Sequence, residues 1–185
     1  VVDDLVANGF GVYALDVPEG AFDRAFSVLG LMIFPDRKRG FAELHRVLRP
    51  GGKAAVVAWS KPENMRVSGA FQNALWKALP DLALPLRPPP WLPLTEREAF
   101  KREMADGGFA HVRMHTVSHV LVFDDPRTAF DWVTGATPAL NVMVHKLAPD
   151  DLEALRAAFV EDVAAQQGSG PYGFEAEAHI AIGQK

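Results

Sequence analysis

Three histidines at a regular spacing, His111, His115 and His119, are the first residues whose types could do chemistry. On a helix their rings would share one face about 6 Å apart at each step, near enough to hold a metal ion. On a strand the same spacing is roughly 13 Å per step, too wide for one ion. The intervening Val112, Met114, Thr116 and Val117 favour the strand, so no metal site is expected there. Two carboxylate pairs, Asp124-Asp125 and Asp150-Asp151, precede helical patterns. Free backbone N–H groups stabilise negative charge at such positions, so capping accounts for them better than acid–base work does. The sequence has no Gly-x-Ser-x-Gly elbow and no Walker loop. Gly168-Ser169-Gly170 reads as a loop after a helix. With no cysteine, disulfides, zinc–thiolate sites, iron–sulfur clusters and thiol catalysis are excluded together.

The elements that must position any site follow from hydrophobic periodicity. Residues 3–9 read as the end of a helix stopped by Asn8-Gly9. Phe22 to Phe34 is apolar except at Asp23 and Arg24, and predicts a strand buried on both faces, as in parallel sheets. Asp36 can cap a helix whose stripe is Phe41, Leu44, Val47 and Leu48, and Pro50-Gly51-Gly52 ends it. Ala54 to Trp59 is a second buried strand, so the block forms a right-handed parallel crossover. A helix is expected over 65–79. Between Pro80 and Pro93 lie six of the fourteen prolines, which predicts an extended surface loop. Thr95-Glu96-Arg97-Glu98 reads as a capping box closed off by Gly107-Gly108. A strand over 110–123, helices from Asp125-Pro126, over 139–147 and along Leu152 to Val163, and a final alternating strand at 174–182 complete the chain. The fold class is α/β.

Composition narrows the function. The 185 residues are 49% apolar and 23% charged with a net charge of −4, as in one ordinary globular domain. Nineteen basic against 23 acidic residues, with no basic run beyond Arg37-Lys38-Arg39, argue against a nucleic-acid binder. The longest apolar stretch, Phe26 to Phe34, is half of what a membrane span needs. No signal peptide is recognisable, which makes the cytoplasm the expected location. The chain begins Val1-Val2-Asp3-Asp4, without methionine, as a processed or longer protein would.

Phe22-Asp23 through Phe34-Pro35-Asp36, followed by Glu43-Leu44-His45-Arg46-Val47-Leu48-Arg49-Pro50-Gly51-Gly52, resembles class I S-adenosylmethionine-dependent methyltransferases. Within them it looks most like the small-molecule, ubiquinone/menaquinone-biosynthesis type, and the likeness is strongest over 14–60. The resemblance implies a Rossmann-like sheet represented by its C-terminal portion, strands four to seven, with helical insertions. Residues 1–185 would form a single methyltransferase-like domain, N-terminally incomplete, because the glycine-rich turn and the acidic residue that hold the cofactor in this family are not in the sequence. Gly11 falls near where an adenine-side acid would stand.

By the same resemblance S-adenosylmethionine is the cofactor, with Val12, Tyr13 and Ala14 near the adenine. Ser27, Val28 and Leu29 would lie near its methionine part. Insertions at 61–94 and 125–168 would cap the acceptor, with Trp59, Met65, Trp91 and Trp132 as its apolar contacts. A small apolar or aromatic acceptor is implied. His45 and His119 are the nameable bases, and no catalytic base is assigned. The rival reading is a catalytically silent methyltransferase-like binding or interaction module; a nicotinamide-dependent oxidoreductase shares the sheet plan but not the residues. With earlier strands absent, the fourth strand would present an open edge, and a homodimer through that edge is the corresponding expectation.

Overall fold

The computed structural model describes residues 17–82 and 91–185. The expected helix end at 3–9, the adenine-side Val12, Tyr13 and Ala14, and the prolines at 85 and 88–90 lie outside the described residues.

The chain forms β1 (Phe22–Val28), α1 (Arg37–Val47), β2 (Leu48–Trp59), α2 (Arg66–Ala78), α3 (Arg97–Asp106) and β3 (Ala110–Phe123). Then come α4 (Pro126–Ala136), α5 (Pro138–Val144), α6 (Pro149–Gln167) and β4 (Tyr172–Gln184). The expected strand–helix–strand block is present, with β1 and β2 parallel and Phe26 opposite Ala55. The sheet order is β1-β2-β4-β3, with β4 antiparallel to both neighbours. Asp36 caps α1, its Oδ1 accepting from the Arg39 amide at 2.9 Å. Asp125 caps α4 in the same manner, accepting from the Arg127 amide at 2.7 Å. Both caps satisfy orphan donors of a first helical turn, which is why an aspartate stands at each start.

Two apolar clusters hold the molecule. One lies beneath α1 and α3, where Ala54, Val56 and Ala58 of β2 and Ala181 of β4 meet Phe41, Phe100, Met104 and Phe109. Small residues on the strands allow close approach here: a Cβ on Gly183 would lie 2.8 Å from Cβ of Phe109. The other packs α2, α4 and α6 against the start of β4. Its rings form a chain, Phe71 to Phe130 at 5.9 Å, Phe130 to Phe159 at 5.6 Å and Phe159 to Phe174 at 6.4 Å between centroids.

Three expectations are corrected. Phe22 to Phe34 is not one strand buried on both faces. β1 stops at Val28, Leu31–Ile33 is a single 3-10 turn, and Phe26 and Val28 are 71% and 68% exposed. The break comes from Leu29, whose φ of 57° belongs to no strand. Thr95 does not open a capping box, because its hydroxyl donates to the Leu92 carbonyl at 2.8 Å inside a 3-10 turn and α3 begins at Arg97. The second strand begins at Leu48 rather than Ala54, so Pro50-Gly51-Gly52 lies within it. Gly51, at φ 80°, supplies there a conformation that side chains resist. The three histidines do lie on a strand, β3, with a register irregularity between Ala110 and Arg113.

Candidate functional site

In sheets of this plan ligands bind beyond the carboxyl ends of the parallel strands. For β1 and β2 those ends are Ser27-Val28-Leu29 and Trp59-Ser60, neighbours because Val28 pairs with Val57. The end of β1 is tied down on both sides. The Leu29 amide donates to the Val57 carbonyl at 3.0 Å, and Oγ of Ser27 accepts from the Leu31 amide at 2.9 Å. Leu29 between them is left-handed. Gly30 is not forced by its backbone, since its φ is −83°, and a Cβ there would meet Oγ of Ser27 at an ordinary 3.6 Å.

One strand over, a polar cluster that sequence reasoning did not single out surrounds Glu177. Trp59 pairs with Ala178, which brings Glu177 beside the buried Ser60. Asn64 Nδ2 donates to Glu177 Oε1 at 2.8 Å and to Ser60 Oγ at 3.2 Å, and Ser118 Oγ donates to Glu177 Oε2 at 3.4 Å. Hydrogen bonding from Ser60 first, opposed by burial and aided by Asn64, His179 and Ser118, holds the Glu177 carboxyl below its usual pKa. A polar hollow of about 470 Å³ opens beside it, lined in part by Asn64, Ser118, His119 and Glu175. The signal available beforehand was the alternation of 174–182, which marks Glu175 and Glu177 only as one polar face.

The other expected residues divide. Trp59, Trp91 and Leu29 border the same cluster beneath α1 and α3. Met65 is buried just before α2 and bridges to Ala176 of β4. Trp132, on α4, lies 5.9 Å between centroids from the tilted ring of Phe123, the last residue of β3. His45 is not at this end. Its ring meets Phe109 edge-on at 5.3 Å, near the amino end of β2, and burial lowers its pKa. Among the described residues no group of three or more histidine or acidic side chains could hold a metal ion. A larger apolar groove of about 710 Å³ runs between α1 and the edge of β1 that is unpaired among the described residues, lined by Phe26, Leu31, Phe34, Leu44 and Val47 among others.

Residues 2–85 match the ubiE/COQ5 methyltransferase family. The chain is 40% identical over 67 residues to the ubiquinone/menaquinone biosynthesis C-methyltransferase of Hahella chejuensis, covering 36% of this chain and 27% of that protein. With the Marinomonas sp. protein of the same description it shares 28% over 133 residues, 69% of this chain and 48% of the other. With the demethylmenaquinone methyltransferase of Mycolicibacterium gilvum it shares 30% over 117 residues, 58% and 51% of the two chains. The chain thus spans about half, or less, of the length of these curated relatives. Among solved structures, a candidate methyltransferase of an antibiotic biosynthesis pathway from Anabaena variabilis superposes with a TM-score of 0.52. It is 14% identical, over 92% of this chain and 71% of that one. A candidate methyltransferase from Bacillus halodurans gives 0.50, at 16% identity over 93% and 73%. At such identities the likeness is one of fold, the Rossmann-like sheet of class I methyltransferases. No described helix is long and apolar enough to cross a membrane.

Proposed function

We propose that this chain, with residues 2–85 matching the ubiE/COQ5 methyltransferase family on a class I methyltransferase sheet, serves S-adenosylmethionine-dependent methyl transfer to a small apolar aromatic acceptor. The relatives' descriptions narrow that acceptor to a quinone-biosynthesis ring methylated on carbon. The observation that carries the reading is the family match, which includes the whole β1–α1–β2 block and so the strand end at Ser27-Val28-Leu29.

The residues at that end suit the methyl-bearing part of the cofactor. The turn is held by two hydrogen bonds, and Gly30 leaves room beside it. When bound, the cofactor would supply a sulfonium-activated methyl group; an electron-rich ring carbon takes it by in-line displacement as the carbon–sulfur bond breaks to leave the thioether, and the ring proton is released to solvent. Ser27, Val28 and Leu29 hold the donor side, and Val12, Tyr13 and Ala14 are assigned to the adenine by the family match alone. Trp59, Met65 and Trp91 offer apolar contact to the acceptor. Segments 61–94 and 125–168, the second carrying Trp132, form the cap that keeps water out, so proximity and a dry site do most of the work. No base is assigned: three donors already engage Glu177, which lowers its affinity for a proton. Pairing of two copies along the free edge of β1 belongs to the same reading.

The test is transfer of a tritiated methyl group from S-adenosylmethionine to demethylmenaquinone kept reduced to its hydroquinone by added dithionite, with the full native chain. Label in the quinone fraction is the expected result. Cofactor binding without transfer to any quinone ring would overturn the acceptor, and no cofactor binding would overturn the whole reading.

A further inference from the structure

Leu29 stands in a conformation that an L-residue avoids, with φ at 57°, at the carboxyl end of β1. Such a backbone persists only where its surroundings over-determine it. Here the Val57 carbonyl fixes Leu29 from the neighbouring strand, and Oγ of Ser27 fixes the Leu31 amide two residues further on. Together they stop the strand at Val28 and start the 3-10 turn at Leu31. The side chain of Leu29 packs against the cluster beneath α1 and α3, so the kink is also anchored from below.

From this geometry we propose that Ser27 is a positioning residue: its hydroxyl holds Leu29 left-handed, and the main chain of 28–30 so placed receives the donor. The proposal rests on the methyltransferase reading but differs from a direct contact by Ser27. The serine oxygen accepts from the Leu31 amide, and through that bond removing the hydroxyl would act on the ligand by changing the shape of the turn. Glycine adopts φ near +60° without help. A chain with glycine at position 29 therefore no longer needs the Ser27 hydroxyl to reach that conformation, and this predicts coupling between the two positions.

The experiment measures binding of S-adenosylhomocysteine by calorimetry to the full native chain and to S27A, S27T, L29G and S27A/L29G, with folding checked by circular dichroism. S27A weakens binding about three- to tenfold, the equivalent of one hydrogen bond. S27T, which keeps the hydroxyl, binds as the parent does. In the L29G background the Ser27→Ala loss shrinks to less than about twofold, because the entropy of a free glycine replaces the strain. An equal loss in both backgrounds would mean that Ser27 touches the ligand, and would overturn the proposal alone. A lowered melting temperature with unchanged binding in S27A would overturn it too, as a purely structural role. Absence of binding by the parent chain overturns the methyltransferase reading, and the positioning role with it.

Discussion

Oγ1 of Thr116 lies 3.0 Å from Nδ1 of His179, while Nε2 of the same buried ring lies 3.1 Å from the Thr95 carbonyl oxygen. A carbonyl only accepts, so Nε2 carries the hydrogen and Nδ1 accepts from the Thr116 hydroxyl. Arg97 completes the chain, donating to Thr116 Oγ1 at 2.7 Å. One ring thus ties the segment before α3 to β3 and β4.

His179→Ala removes both bonds and leaves a buried carbonyl without its donor. The expected cost is about 2–3 kcal/mol in urea unfolding at neutral pH. Thr116→Val, which spares the Thr95 bond, costs about 1 kcal/mol. Equal losses from the two would show that the bond to Thr95 adds nothing.

Much of this architecture is legible in residue order, and the exceptions share a cause. Asp36 and Asp125 announce helix starts because capping is a local event. The β1–α1–β2 block is legible because its apolar stripe acts within one crossover, although Pro50-Gly51-Gly52, read as a turn, lies inside β2. Leu29 is different: leucine carries no mark of a positive φ, and the conformation is imposed by Val57 and Ser27 from outside the residue. Thr95 has the spacing of a cap, yet Leu92 competes for its hydroxyl within a tight turn. The cluster around Glu177 joins residues 60, 64, 118 and 177, which only the pairing of β4 with β2 and β3 brings together. Trp132 is named as an acceptor contact on residue type alone, and its packing against Phe123 at the end of β3 depends on how α4 folds back, which residue type does not encode.

Glu177 gives the site a dependence on acid. Its pKa is lowered in the folded protein, chiefly by the Ser60 hydrogen bond. The sign follows from linkage: the stabilisation is fully present above the ordinary carboxyl value of 4.5 and is lost as pH falls through the lower folded value. Glu177→Gln, which cannot ionise, lacks that stabilisation at pH 7 and flattens the profile below 4.5, so the two proteins differ most at neutral pH and converge as pH falls. Thermal melts from pH 3 to 7 on both proteins read this out. Parallel profiles would refute the role of these hydrogen bonds.

Two glycines should answer oppositely to alanine. At Gly107 a Cβ would overlap Cβ of the fully buried Phe41, and one of the two backbones must move. Gly107→Ala is expected to cost about 1–3 kcal/mol by overpacking. At Gly69, inside α2, a Cβ meets nothing within 4 Å, so Gly69→Ala raises stability by about 0.5–1 kcal/mol through helix propensity. Chemical denaturation of both variants decides it; a stabilised Gly107→Ala would mean that α1 and the end of α3 are less tightly apposed than described.

The two faces of the sheet at β1 and β2 predict an equally sharp contrast. Ala54, Val56 and Ala58 point beneath α1 and α3 and are fully buried, whereas Phe26 and Val28, aligned with Ala55 and Val57, are largely exposed. Exposed positions change stability within about 0.5 kcal/mol, while truncating a packed core side chain costs several times more. Phe26→Ser is therefore expected to leave the unfolding free energy nearly unchanged, whereas Phe41→Ala on the covered side loses about 3–5 kcal/mol. The comparison also reads what covers β1 in the native protein. A loss of several kcal/mol from Phe26→Ser would mean that the ring is buried there by something other than the described residues, because nothing they provide could supply that energy. A negligible loss would mean that Phe26 and Val28 stay as exposed in the native protein as they are among the described residues.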